Sequence, residues 1–97
     1  MRARYSQSAI TDLERILAYV NESNPTAAKR VSSRLKKVVQ RIERFPYSSR
    51  ATKKPGVRVA PLVRYPYLIF YSIEEKTAQI HILRIRHDAR GPLARLP

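Results

Sequence analysis

The 97-residue chain contains no cysteine, no tryptophan and only two glycines. Without cysteine there is neither a disulfide framework nor a thiolate metal site. Two glycines cannot build the glycine-rich loops that cradle phosphates in P-loop or dinucleotide-binding domains. Long apolar runs are also missing: nothing approaches the roughly 20 residues of a membrane span. The first residues, MRARYSQSAITDLE, lack the apolar stretch of a signal peptide. The expected location is the cytoplasm, with no membrane partner. Acidic residues are scarce, and they fall in the two helical segments, in a turn and singly at Asp88, which leaves no carboxylate pair for glycoside-type hydrolysis. The two histidines, His81 and His87, have no carboxylate at ligand spacing. No metal and no cofactor are expected.

What is abundant is positive charge. Twenty Lys and Arg face seven Asp and Glu, a net charge of +13. The charge is spread evenly, +6 on residues 1–46 and +7 on residues 47–97, so it is not a detached basic tail. A small soluble domain needs a net charge of only about 2–8. The excess points to an anionic partner: nucleic acid, the ribosome or an acidic protein. With 43% apolar residues, the chain has the composition of one globular domain, residues 1–97, with a single modest core.

Hydrophobic spacing predicts the elements. Arg2 to Tyr5 is a short strand. Ser6 or Ser8 caps a first helix, with Asp12 and Glu14 near its start, where the helix dipole favours acids. Ile10, Leu13, Leu17 and Val20 form its apolar face. After a connection of about four residues, Asn24 and Pro25 open a second helix. Ala28, Val31, Leu35, Val38, Ile42 and Phe45 make its apolar stripe, and Pro46 ends it. The two helices are expected to be antiparallel.

Arg30, Arg34, Lys37, Arg41 and Arg44 follow the same three-four spacing on a flanking face of the second helix. Like charges at this spacing oppose the helix by about 0.2–0.5 kcal/mol per pair. Their common sign marks either a solvated face or the rim of a partner groove.

Tyr47 to Gly56 reads as a polar loop and Val57 to Ala60 as a strand. Tyr67 to Ile73 is apolar on both faces, which suits a central strand. After a turn at Glu74 to Thr77, Ala78 to Arg86 is the return strand. Its buried parity changes between Ile82 and Leu83, a sign of a bulge or of burial on both faces. The expected fold is α+β: an N-terminal strand, then an antiparallel two-helix hairpin packed on a mostly antiparallel sheet, in the order β-α-α-β-β-β.

The last strand runs out into RIRHDAR. One chemistry compatible with these residues is metal-free cleavage of RNA, in which a base takes the 2′-OH proton and cations hold the phosphorane charge. His87 is the candidate base or acid. Arg84, Arg86 and Arg90 are candidate phosphate ligands, joined by Arg64 if the strands pair as expected. Tyr65 or Tyr71 is a candidate for stacking on a base. The alternative is a set of solvated strand-end arginines beside a histidine that only closes the sheet.

The ordered set DLERILAYV, NPTAAKRV with a basic helix ending RFP, YPYLIFY and IHILRIRHDARGP resembles the RelE/ParE superfamily of bacterial type II toxins over nearly the whole chain. The resemblance implies a first strand paired within the main sheet and a small cognate acidic antitoxin as partner. It also implies one of two targets: RelE-like members bind the ribosome and cut mRNA, whereas ParE-like members poison DNA gyrase. On the RelE pattern, Lys53 and Lys54, with Arg58 or Arg64 and Arg84 or Arg86, would be catalytic. The tail GPLARLP has no tyrosine for the usual C-terminal role, which His87 would have to fill. YPYLIFY and RHDAR look more like ParE and the plasmid-stabilisation group. The expectation is therefore a gyrase-directed toxin, with a ribosome-dependent endoribonuclease second and an inert toxin-fold binding module third; only the second reading makes it an enzyme. In each case, Arg30, Arg34, Lys37, Arg41 and Arg44 are the expected antitoxin contacts.

Overall fold

Ser6 sets the entry to the fold. In a computed structural model, which describes residues 1–88, its Oγ accepts the Ala9 N–H at 3.0 Å and caps helix α1, Gln7–Ser23. Strand β1, Arg2–Tyr5, precedes it. Helix α2, Pro25–Arg44, follows after a single residue. Asn24 serves both helices: its N–H donates to Val20 O at 2.8 Å, and its Oδ1 accepts the Ala27 N–H at 2.9 Å. The connection is thus one residue where about four were expected. A side chain that caps the second helix while its own amide closes the first removes the need for a longer loop.

The chain then forms β2, Arg50–Ala51, β3, Val57–Pro61, β4, Tyr67–Glu74, and β5, Gln79–His87. These make one five-stranded sheet in the order β1-β5-β4-β3-β2, antiparallel except where β1 lies parallel to β5. The β2 strand lies inside the segment expected to be loop. Its two residues pair with Val59 and Arg58, and such a short strand leaves no periodic signal.

The helical hairpin covers one face of the sheet. Val31, Leu35, Val39 and Ile42 of α2 meet Ile69, Tyr71, Ile80, Ile82 and Ile85 there. Each such side chain contributes about 1.5–3 kcal/mol when fully buried. The Tyr71 hydroxyl, inside the core, donates to Pro46 O at 2.7 Å. Two apolar faces differ from expectation. In α2, Val39 is buried while Val38 is half-buried and Phe45 is exposed. In α1 the inward positions are Ala9 and Asp12, with Leu13, Ile16 and Leu17 partly buried, and Ile10 is exposed. That face is turned by about one residue because a small and a charged residue hold two inward sites. Asp12 is therefore not a first-turn dipole acid.

The parity change in β5 is a bulge. Phe70 pairs with Arg84 and Tyr71 with Ile82, leaving Leu83 as the extra residue. Ile82 and Ile85 consequently both reach the helix-side core, while Leu83 packs with Val57, Val59 and Phe70 in a second cluster. β1 stops at Tyr5, opposite Ile82. Beyond it, α1 takes over the edge of β5. Ser6 N–H donates to Ile82 O at 2.9 Å, Ser6 Oγ donates to Leu83 O at 2.9 Å, and the Asp12 carboxylate accepts the Ile85 N–H at 3.0 Å.

Candidate functional site

The strongest concentration of chemistry among the described residues lies where α1 crosses the end of β5. Asp12, Arg15, Ile16 and Tyr19 of α1 line a cavity of about 420 Å³ with Tyr67, Arg84, Ile85, Arg86 and His87. Their spacing along α1 puts the four helical residues on one face. The bulge positions the strand residues. His87 lies opposite Tyr67 in the ladder, and the rings meet edge to face with centroids 5.3 Å apart.

Within this cavity the cations differ in their commitments. Arg84 is held by Asp12 through two bonds, Nε to Oδ2 at 2.8 Å and Nη2 to Oδ1 at 2.9 Å. Burial pushes the Asp12 carboxyl upward, but the Arg84 and Ile85 hydrogen bonds and the charges of Arg84 and Arg86 outweigh it. Its pKa is lowered as a result, and that of Arg84 is raised by the hydrogen bond to Asp12. Arg86 is different: its Nε is buried and has no hydrogen-bond partner. A buried donor in that state costs about 1–3 kcal/mol unless a ligand supplies an acceptor.

The expected RNA-cleaving set is gathered only in part: Arg84, Arg86 and His87 share the cavity, whereas Arg58, Lys53 and Lys54 lie apart from it. Arg84 is engaged with Asp12. Arg58 spends its Nη1 on Tyr47 O at 3.3 Å and Ser49 O at 2.6 Å, with its guanidinium over the Tyr47 ring at 5.3 Å. It fastens the loop after α2. Lys53 and Lys54 sit in the turn before β3, at the end of the sheet where Val57 pairs with Ser72. His87 pairs at the other end of β4, opposite Tyr67, roughly 20 Å away along strands that rise about 3.3 Å per residue. Arg64 is at the same end as His87 but is exposed, in a turn where Val63 and Arg64 both have positive φ, 52° and 76°. The stacking candidates are also corrected. Tyr71 is fully buried and Tyr65 is packed against the core, whereas Tyr19 and Tyr67 line the cavity. Arg90 and the GPLARLP tail lie outside the described residues.

Sequence reasoning missed Asp12, Arg15 and Tyr19. The available signal was the spacing of Ala9, Asp12, Ile16 and Tyr19, a three-four-three series with an acid at an inward position. Among the described residues no group of three His, Cys, Asp or Glu side chains is placed to hold a metal. No helix among them is long and apolar enough to cross a membrane.

A second groove, about 450 Å³, runs between α2 and the β3 edge. Arg34, Lys37 and Arg41 line it together with Val38, Ile42, Ala60, Pro61 and Val63. Arg30 and Arg44 are exposed on the same helix, and the Arg44 guanidinium lies 5.7 Å from the Phe45 ring centroid.

A first strand set parallel beside the last, a helical hairpin on one sheet face and a basic strand end define a toxin of the RelE/ParE superfamily. The chain belongs to the ParE family within it: the profile of the ParE toxin of the type II toxin-antitoxin system, parDE, matches residues 3–92. Toxin RelE2 of Caulobacter vibrioides is 35% identical over 85 residues, covering 84% of this chain and 89% of its own. The fold is shared with the chromosomal ParDE toxin–antitoxin system of P. aeruginosa at a TM-score of 0.78 and 23% identity, over 90% of this chain and 95% of that one. It is also shared with the RelBE2 toxin–antitoxin complex of Mycobacterium tuberculosis at a TM-score of 0.61 and 20% identity, over 89% and 95%. The protein is a toxin of a type II toxin–antitoxin system.

Proposed function

We propose that the toxin acts on DNA gyrase and is not a ribosome-dependent nuclease. The observation that carries this reading is the dispersal of the candidate catalytic cations. Metal-free RNA cleavage needs a base, an acid and phosphate-holding cations around one scissile bond. Here Arg84 and Arg58 are committed to internal partners, and Lys53 and Lys54 lie at the opposite end of the sheet from His87. Membership of the ParE family supports the same target.

The test is a pair of assays on the purified toxin. With gyrase, ATP and supercoiled plasmid, linear DNA trapped on the enzyme should accumulate. With translating ribosomes, mRNA should stay intact. Codon-phased transcript cuts without DNA damage would move the assignment to the RelE-like reading, which draws on Arg86, His87 and Tyr67 remaining together in one cavity. Neither effect would leave an inert toxin-fold module.

The neutralising partner is a cognate acidic antitoxin segment seated in the groove beside α2. Support comes from its composition: an apolar floor of Val38, Ala60 and Val63, rimmed by Arg34, Lys37 and Arg41. A disordered amphipathic segment would fold there, laying its apolar side on the floor and its acids against the rim.

A further inference from the structure

The cavity between α1 and β5 has a feature that antitoxin binding beside α2 does not explain. Arg86 Nε is buried without an acceptor, in a cavity that three arginines and a histidine line against a single carboxylate. That carboxylate, Asp12, is already spent on Arg84 and on the Ile85 N–H. Arg15 and Arg86 line the same cavity, and Asp12 makes no hydrogen bond to either of them. Its volume, about 420 Å³, falls within the range of small-ligand sites.

We propose that this cavity binds a nucleoside phosphate, either as a free nucleotide or as part of a DNA strand. The phosphate supplies several acceptor oxygens, so one group answers Arg86 Nε and the Arg15 guanidinium together. Tyr19 supplies the second half of the recognition. It lines the cavity toward the end of α1 and is 74% exposed. A large ring presented to solvent at the mouth of a cationic cavity is a stacking platform for a base. The Tyr67 ring holds the His87 ring edge-on from below, which fixes the wall that the sugar-phosphate would meet. On the gyrase reading, a DNA strand held by the enzyme is the natural source, and this choice of source rests on that reading.

The experiment needs no gyrase, so its outcome is separate from that of the target assays. The full-length toxin, released from its partner, is titrated with inorganic phosphate, with thymidine monophosphate and with a short oligothymidylate, following ring resonances of His87 and Tyr19. Both nucleotide probes should shift these signals saturably. Arg86→Gln should weaken them by about tenfold, the loss expected for a charge-assisted hydrogen bond. Lys36→Gln, on the exposed side of α2, should leave them unchanged. Tyr19→Ala, whose exposed site spares the fold, should weaken the nucleotides while leaving inorganic phosphate unaffected. Tighter, salt-dependent binding of the oligothymidylate identifies a strand, and equal affinity identifies a free nucleotide. Equal losses in Arg86→Gln and Lys36→Gln would reduce the effect to diffuse charge and overturn the proposal. So would a response to inorganic phosphate with none to either nucleotide, or no shift with any of the three probes.

Discussion

Asp12 of α1 and Arg84 of β5, 72 residues apart in sequence, are joined by two hydrogen bonds of 2.8 and 2.9 Å, and the same carboxylate accepts the Ile85 N–H. One side chain therefore fastens the first helix to the last strand just past the bulge, where β1 has ended and the β5 edge would otherwise be bare. Asp12→Ala should cost about 2 kcal/mol, since it strands a buried amide while Arg84 is exposed enough to recover water. Urea unfolding followed by circular dichroism reads this directly.

The pH dependence has a definite sign. The Asp12 pKa is lowered from its ordinary 3.8, so the folded state binds its proton less readily than the unfolded chain. The stability this contributes is complete above the unfolded value and lost as pH falls through the lower folded value. The gap in stability between wild type and Asp12→Ala should be constant at neutral pH and close in the window below about pH 4. A gap that persists unchanged into strong acid would mean that packing, not charge, carries the effect.

Glu43 secures the β1 edge of the sheet. Its Oε2 accepts the Ala3 N–H at 2.8 Å, and its carbonyl accepts the N-terminal ammonium at 2.9 Å. Glu43→Ala should speed hydrogen exchange at Ala3 and its β1 neighbours and lower stability by about 1 kcal/mol. Glu43→Gln keeps an acceptor and should restore most of the protection.

Lys53 and Lys54 separate the two targets genetically. Replacing both with alanine should leave growth arrest intact, because they lie at the end of the sheet remote from His87. Loss of toxicity with an unaltered melting curve would restore them to a catalytic role.

Antitoxin binding should be steered by charge. Exposed ion pairs contribute only about 0–1 kcal/mol each, so apolar contact sets affinity while charge accelerates encounter. Association measured by stopped flow should slow with added salt, and slow again in Arg34→Gln, Lys37→Gln, Arg41→Gln. An association rate indifferent to salt would contradict the steering.

Much of the fold was legible because its signals are local. Asn24 and Pro25 announce α2, the three-four spacing reveals its buried stripe, and YPYLIFY reads as the central strand it forms. The face of α1 was misread because Ala9 and Asp12 occupy inward positions that a hydrophobic pattern does not count. β2 was hidden because two residues, Arg50 and Ala51, become a strand only through pairing with β3. The site was less legible than the fold. Arg84, Arg86 and His87 could be singled out as a cluster. That Asp12 would claim Arg84, that Tyr19 would face the same cavity, and that Lys53 and Lys54 would end up at the other end of the sheet all depend on long-range register, which no local pattern encodes.

The extra residue at Leu83 carries an evolutionary consequence. Because the bulge absorbs Leu83, deleting that one codon would leave Ile82, Arg84 and Ile85 opposite Tyr71, Phe70 and Ile69 as they are now, in a regular ladder. A deletion in the regular part of β5 would instead turn every side chain beyond it to the other face. Lineages built on this scaffold would then have one place where the last strand can change length without handing its basic end to a different surface.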